Sequence, residues 1–169
     1  MAEIEATPLE PDSLSSLADA IEQKLLDGDD DALSRSKKKQ CLHVVMETFR
    51  AIFSGDFAKL ESLLTDDAEF TTFGPEEMPM VGRVIGWQAI IKRVIENFSG
   101  VTDQRVEVID AVGQADRISI LFHETGRMCA TGKTYDIHVT QWFRLLGGRV
   151  ACIRQVTDTY ALCVAKADT

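Results

Sequence analysis

Residues 53–70 constrain this chain more than any other stretch. Phe53 closes an apolar helical stripe, Gly55 stops that helix, and Asp56 stands where a capping side chain for the next one belongs. Phe57, Leu60, Leu63 and Leu64 then recur at helical spacing. Asp66 and Asp67 read as a turn, and residues 68–73 alternate as a strand. A long helix turned sharply into a short one and fed directly into a strand calls for helices packed on a sheet.

The flanking sequence extends that layout. Leu42, Val45, Met46, Phe49, Ile52 and Phe53 give a helix over residues 36–54 a wide apolar stripe. Upstream, Leu14, Leu17, Ala18, Ile21 and Leu25 share one face of an extra helix, with Asp12 or Ser13 as its cap and Gly28 with Asp29, Asp30 and Asp31 as its stop. A helix this short is marginal alone, so it must dock, either over the sheet's outer face or across a dimer. Lys37, Lys38 and Lys39 close a mixed-charge linker and read as a solvated helix start rather than a phosphate or localisation patch. Residues 1 to 12 read as an acidic tail.

Downstream, residues 74–86 carry Pro75, Glu76, Glu77, Met78, Pro79 and Met80 and read as a loop and candidate lid. Gly86 opens a helix that buries Ile90, Ile91, Val94, Ile95 and Phe98. Four strands follow at 105–112, 115–125, 133–145 and 149–159, the last two joined by the Gly147-Gly148 turn. The predicted fold class is α+β: a curved, mostly antiparallel sheet on helices, plus an extra N-terminal helix. The expected division is 1–35 for tail and accessory helix, 36–163 for the domain and 164–169 for a tail.

Composition narrows the partners. A net charge of -9 argues against nucleic acid and against an anionic membrane surface. No window has the apolar length of a membrane span, and no export signal is legible. Cys41, Cys129, Cys152 and Cys163 form no CxxC pair, which suits free thiols in a reducing cytoplasm. No P-loop, dinucleotide glycine fingerprint or Ser-His-Asp order is present, so no cofactor is expected. His123 and His138 fall on one strand face with Trp142 and Arg144, opposite the apolar stripes and without a third metal ligand, and His43 reads as surface.

Residues 40–162 resemble the NTF2-like superfamily, which includes the SnoaL-like and ketosteroid-isomerase-like cone folds. The resemblance lies in residues 49–67 running into Ala68, Glu69, Phe70, Thr71 and Thr72, then in residues 84–90 around Gly86 and Trp87, and finally in Trp142 to Val150. It implies a cone with an apolar pocket beneath the helices and homodimers through the sheet's outer face. Steroid isomerases of this fold place a general base at the position of Thr72, an oxyanion-hole tyrosine near Thr48 and a protonated acid at Thr140 or Gln141. Limonene epoxide hydrolases place a tyrosine at Phe70, an asparagine at Thr72, an arginine at Phe122 and aspartates at Glu124 and Gln155. The steroid isomerase set is absent from this chain, and only Glu124 retains a carboxylate from the other.

Strand parity gives an independent candidate site. Ile118, Ile120 and Phe122 share a face that Glu124 continues. Tyr135, Ile137, Val139, Phe143 and Leu145 share a face interrupted by Gln141, and Ile153 lies with Gln155 and Thr157. Polar groups on apolar stripes need partners. Glu124, as acid or base, would work with Thr72, Gln141 and Gln155 as positioning groups and with Phe70, Trp87, Phe122 and Tyr135 as walls. Alternatively Glu124 reaches solvent at its strand end while Gln141 and Gln155 pair with each other. The first case predicts cofactor-free acid/base chemistry of isomerase, cyclase, dehydratase or hydrolase type on an apolar, oxygen-bearing small molecule. The second predicts a non-catalytic ligand-binding or dimerisation module.

Overall fold

The computed structural model describes residues 11–26 and 32–167. The expected tail over residues 1–10, the helix stop at Gly28 with its three aspartates, and the capping side chains of Asp12 and Ser13 lie outside the described residues. The described chain runs α1 (Pro11–Leu26), α2 (Ala32–Ser54), α3 (Phe57–Leu63), β1 (Leu64–Phe73), β2 (Gly82–Ile85), α4 (Trp87–Ser99), β3 (Val101–Gln114), β4 (Arg117–Met128), β5 (Thr134–Leu146), β6 (Arg149–Thr157) and α5 (Thr159–Lys166). Six strands form one open sheet in the order β2-β1-β6-β5-β4-β3. Among the described strands only the β1–β6 pair is parallel. The α+β fold read from the sequence, with its added N-terminal helix, is the observed one.

The corner after α2 forms as its residues dictate. Gly55 sits at φ 68, a conformation glycine adopts without strain, and the Asp56 N–H bonds Ala51 O at 2.9 Å. Asp56 Oδ1 then accepts from Lys59 N at 2.9 Å and caps α3. At the other sharp reversal Gly147 and Gly148 both have positive φ, at 58 and 77, as a two-residue hairpin between twisted strands requires.

Four local expectations need correction. The linker before Lys37 is helical, because α2 begins at Ala32, and Lys39 Nζ reaches Glu22 of α1 at 2.8 Å. Asp66 and Asp67 belong to β1, where the register against β6 shifts between Leu64 and Glu69. The loop 74–86 contains the edge strand β2, which pairs with Glu69 to Thr72. The last strand ends at Thr157, where Asp158 accepts from Ala161 N at 3.1 Å and starts α5 over residues expected to be strand and tail.

The core lies between the helices and the sheet's inner face. Phe49 of α2 meets Phe122 and Phe143 edge-on, with ring centroids 5.8 and 5.6 Å away. The extra helix joins this core. Leu17, Ile21 and Leu25 of α1 are buried as it packs on β3 and α2. Gly113 permits the approach, since a Cβ there would stand 2.9 Å from Leu25 Cδ2. Gly113 pairs with buried Ile118, so α1 docks on the inner side and does not cover the outer face. No helix among the described residues is long and apolar enough to cross a membrane.

Candidate functional site

The inner face and its helices enclose a cavity of about 440 Å³ with a mostly apolar lining. Thr48, Phe49, Ile52 and Phe53 come from α2, Ile90 and Val94 from α4, and Leu162 from α5. Leu17 of the appended helix adds a further wall. Pro79, Glu96, Gly100 and Lys166 are both lining and exposed, which marks where the cavity meets solvent.

Glu124 faces into this cavity. Its Oε1 accepts from Gln104 Nε2 at 2.7 Å and from Tyr135 Oη at 2.8 Å. Burial raises the carboxyl above its ordinary value of 4.5, and the two donors pull it back only in part. Burial and the adjacent Glu124 also push the Tyr135 hydroxyl upward, so it stays protonated as a donor.

Two departures from regular sheet bring these groups together. Asp103 and Gln104 of β3 both stand opposite Gly126, because the register passes from Thr102↔Arg127 to Arg105↔Thr125. Asp103 takes φ 53 within this bulge, beside the residue whose amide reaches Glu124. On the other side of β4, Gly126 pairs with Tyr135, and a Cβ at Gly126 would lie 2.5 Å from Tyr135 Oη. The missing side chain at Gly126 is what lets the tyrosine fold over β4 toward Glu124.

Gln141 and Gln155 lie opposite each other on β5 and β6, and Gln141 Nε2 donates to Gln155 Oε1 at 2.8 Å. Phe70, Phe122, Tyr135, Gln141 and Gln155 line the cavity with Glu124. Thr72 and Trp87 do not. Thr72 is 1% exposed, in register with Gln155 but beyond the lining, and Trp87 packs half-buried against the core at the start of α4. On the outer face His123 and His138 stack with centroids 5.4 Å apart, and His123 Nε2 lies 2.8 Å from Asp136 Oδ1. Among the described residues no group of three or more His, Cys, Asp or Glu is placed to hold a metal. Burial, and to a lesser degree Asp116, push the Cys41 thiol up to about 11, which disfavours thiolate chemistry there.

The sequence profile of the SnoaL-like domain matches residues 45–153, more than half of the chain. The chain belongs to the SnoaL-like family. No curated protein is matched. Among solved structures, an NTF2-like protein from Burkholderia xenovorans LB400 is 23% identical over 76% of this chain and 97% of its own, with a TM-score of 0.67. A Jannaschia sp. CCS1 protein assigned as a SnoaL-like polyketide cyclase is 18% identical over 82% and 96%, with a TM-score of 0.68. An LEH-like epoxide hydrolase from M. tuberculosis is 14% identical over 75% and 89%, with a TM-score of 0.56. At these identities the likeness is one of fold.

Within this SnoaL-like frame the transferred positions are neutral or already engaged. Thr48 lines the cavity, but its hydroxyl donates to Val44 O of its own helix at 2.8 Å. Of the two alternatives on β5, Gln141 faces the cavity, while Thr140 has the opposite parity and is not in the lining. Gln104 was not anticipated. It shares the parity of Val106 and Val108, a signal lost when the strand is taken to begin at residue 105. The α1 wall lies outside the matched SnoaL-like residues.

Proposed function

We propose that this SnoaL-like protein binds an apolar, oxygen-bearing small molecule and moves a proton on it with Glu124, without a cofactor. One observation carries the proposal. Two donors anchor Oε1 of a desolvated carboxyl, and Oε2 accepts no hydrogen bond from the described residues. A carboxyl raised toward neutrality is a stronger base when ionised and a usable acid when protonated. Oε2 takes a proton from carbon beside a carbonyl, the C–H electron pair moves into the carbonyl, and the same carboxyl returns the proton.

Phe70, Phe122 and Tyr135 form walls for the substrate, and Gln141 with Gln155 offers hydrogen bonds. Thr72 and Trp87, outside the lining, receive no direct substrate contact in this scheme. The assignments of the Jannaschia and M. tuberculosis neighbours, a polyketide cyclase and an epoxide hydrolase, support an oxygen-bearing substrate.

Hydrogen–deuterium exchange at the α-carbons of 2-tetralone, followed by proton NMR, tests the proton transfer. Wild type should accelerate exchange saturably over buffer, and Glu124→Gln should lose most of that acceleration. Equal rates for the two proteins would leave the cavity a binding site without this chemistry.

We further infer a cytoplasmic homodimer over a domain of residues 36–163. Unpaired cysteines suit a reducing compartment, and exposed Phe73, Trp142 and Val156 offer a second copy an apolar seam. Sedimentation of wild type as a dimer and of Trp142→Glu as a monomer is expected. A monomeric wild type rules the seam out.

A further inference from the structure

The inner face carries a second polar centre, distinct from Glu124. Thr72, Gln155 and Gln141 occupy one register row across β1, β6 and β5. The Gln141 amide nitrogen is spent on Gln155, and Gln141 Oε1 is buried without a partner among the described residues. Thr157, two residues beyond Gln155 and on the same face, is 8% exposed, and its Oγ1 is equally unpartnered. Gln141 and Thr157 both line the cavity. Gln141 pairs with Gln155 and Val139 pairs with Thr157, so Gln141 and Thr157 are diagonal neighbours. Their Cα atoms stand roughly 7–8 Å apart, a gap that one ligand oxygen bridges. Buried polar atoms are rarely left unpaired. Each of these oxygens exposes almost no surface to the cavity its residue lines, so a ligand pairs with them as the side chains turn toward it.

We infer that Gln141 Oε1 and Thr157 Oγ1 form a hydroxyl-reading subsite at the far end of the ligand from Glu124. An alcohol or phenol satisfies both atoms, donating its proton to Gln141 Oε1 and accepting from the Thr157 hydroxyl. An ether or ketone accepts from Thr157 but leaves Gln141 Oε1 unpaired, so it is discriminated against.

The spacing fixes the shape of the molecule. Glu124 pairs with Ile137, four residues along β5 from Gln141. At about 3.4 Å per residue the two polar rows are about 14 Å apart. Val139 and Phe122 occupy the row between them, and Thr157 stands at the β6 end of that same row. The ligand class is therefore elongated, apolar where it passes Phe122 and Val139, hydroxylated toward the Gln141 end, and labile to proton transfer at the other. This deepens the proposed function and rests on the cavity being a small-molecule site.

Fluorescence titration with trans-4-hydroxystilbene and trans-4-methoxystilbene tests the subsite. Wild type should bind the hydroxyl probe roughly tenfold more tightly, the effect of one hydrogen bond to an otherwise unpaired buried acceptor. Gln141→Leu should bring the ratio toward one, and the near-isosteric Thr157→Val should weaken both probes alike and leave the ratio in place. Glu124→Gln should preserve the ratio. Equal binding in wild type, no saturable binding of either probe, a ratio untouched by Gln141→Leu, or affinities untouched by Thr157→Val overturns the inference. So does tighter binding of the methoxy probe, which would put the Gln141 amide nitrogen toward the ligand. A preserved ratio beside failed tetralone exchange removes the proton-transfer proposal alone. Lost preference beside intact exchange removes the subsite alone.

Discussion

Replacing Glu124 with glutamine tests the electrostatics of the cavity while nearly conserving its shape. Glutamine keeps an oxygen where Oε1 accepts from Gln104 and Tyr135 at 2.7 and 2.8 Å, so neither donor is orphaned. What disappears is the titration. Burial is the largest influence on Glu124 and raises its pKa above 4.5, while the bonds from Gln104 and Tyr135 lower it. The native state therefore binds this proton more tightly than the unfolded chain does. Between the unfolded and folded pKa values it holds more protons, and stability falls as pH rises. The contribution from neutral Glu124 is fully present below the unfolded pKa and is lost as pH rises through the folded pKa. Each unit of upward displacement is worth about 1.4 kcal/mol.

Urea denaturation of wild type and Glu124→Gln from about pH 4 to about pH 8 measures this directly, because the other titrations cancel in the difference between the two proteins. Near parity is expected at the acid end. The variant should then gain on wild type with a slope no steeper than about 1.4 kcal/mol per pH unit, levelling above the folded pKa. A wild type that gains on the variant as pH rises would mean that the two donors outweigh burial. A flat difference would mean that Glu124 does not titrate differently on folding. Either result refutes the desolvated carboxyl on which the proposed chemistry depends.

Two further substitutions probe how the site is held. Gly126→Ala places a methyl group 2.5 Å from Tyr135 Oη and 2.6 Å from Cζ, so the ring must shift. It should lower stability by about 1–3 kcal/mol, read from the urea midpoint, and much less in a Tyr135→Ala background; equal costs in both would show that the ring is not the obstacle. Ile21→Ala truncates a fully buried side chain of α1. A loss of about 2–5 kcal/mol is expected by denaturation, and near-wild-type stability would show that α1 is not docked on β3 and α2.

Much of the site was legible because strand alternation is a local property. Parity alone put Glu124, Phe122, Tyr135, Gln141 and Gln155 on one face, and all five line the cavity. Parity fixes the face but not which part of it the helices leave open, which is why Thr72 is buried yet lies outside the lining. The edge strand β2 is four residues long and starts at Gly82, too little for an alternating pattern. In α5, Thr159, Tyr160 and Val164 carry strand propensity, and the decisive element is the cap at Asp158. Gln104 depends on pairing across strands, since its bulge exists only against Gly126.

The irregularities around Glu124 argue against a carboxylate kept only for stability. A surface carboxylate needs no bulge, because water solvates it. Here Gln104 arrives from β3 beside a residue at φ 53, and Tyr135 arrives from β5 through space that a glycine leaves open. Both meet the same oxygen and leave the other without a hydrogen bond from the described residues. A buried ionisable group is seldom the most stabilising choice at its position, and an apolar residue of similar volume often does better. If Glu124 serves chemistry, the glutamine variant should be the more stable protein near neutral pH and the slower one in proton exchange. That opposition between stability and activity is the signature of a functional residue. A variant that lost both together would point instead to Glu124 as the post on which Gln104 and Tyr135 are hung.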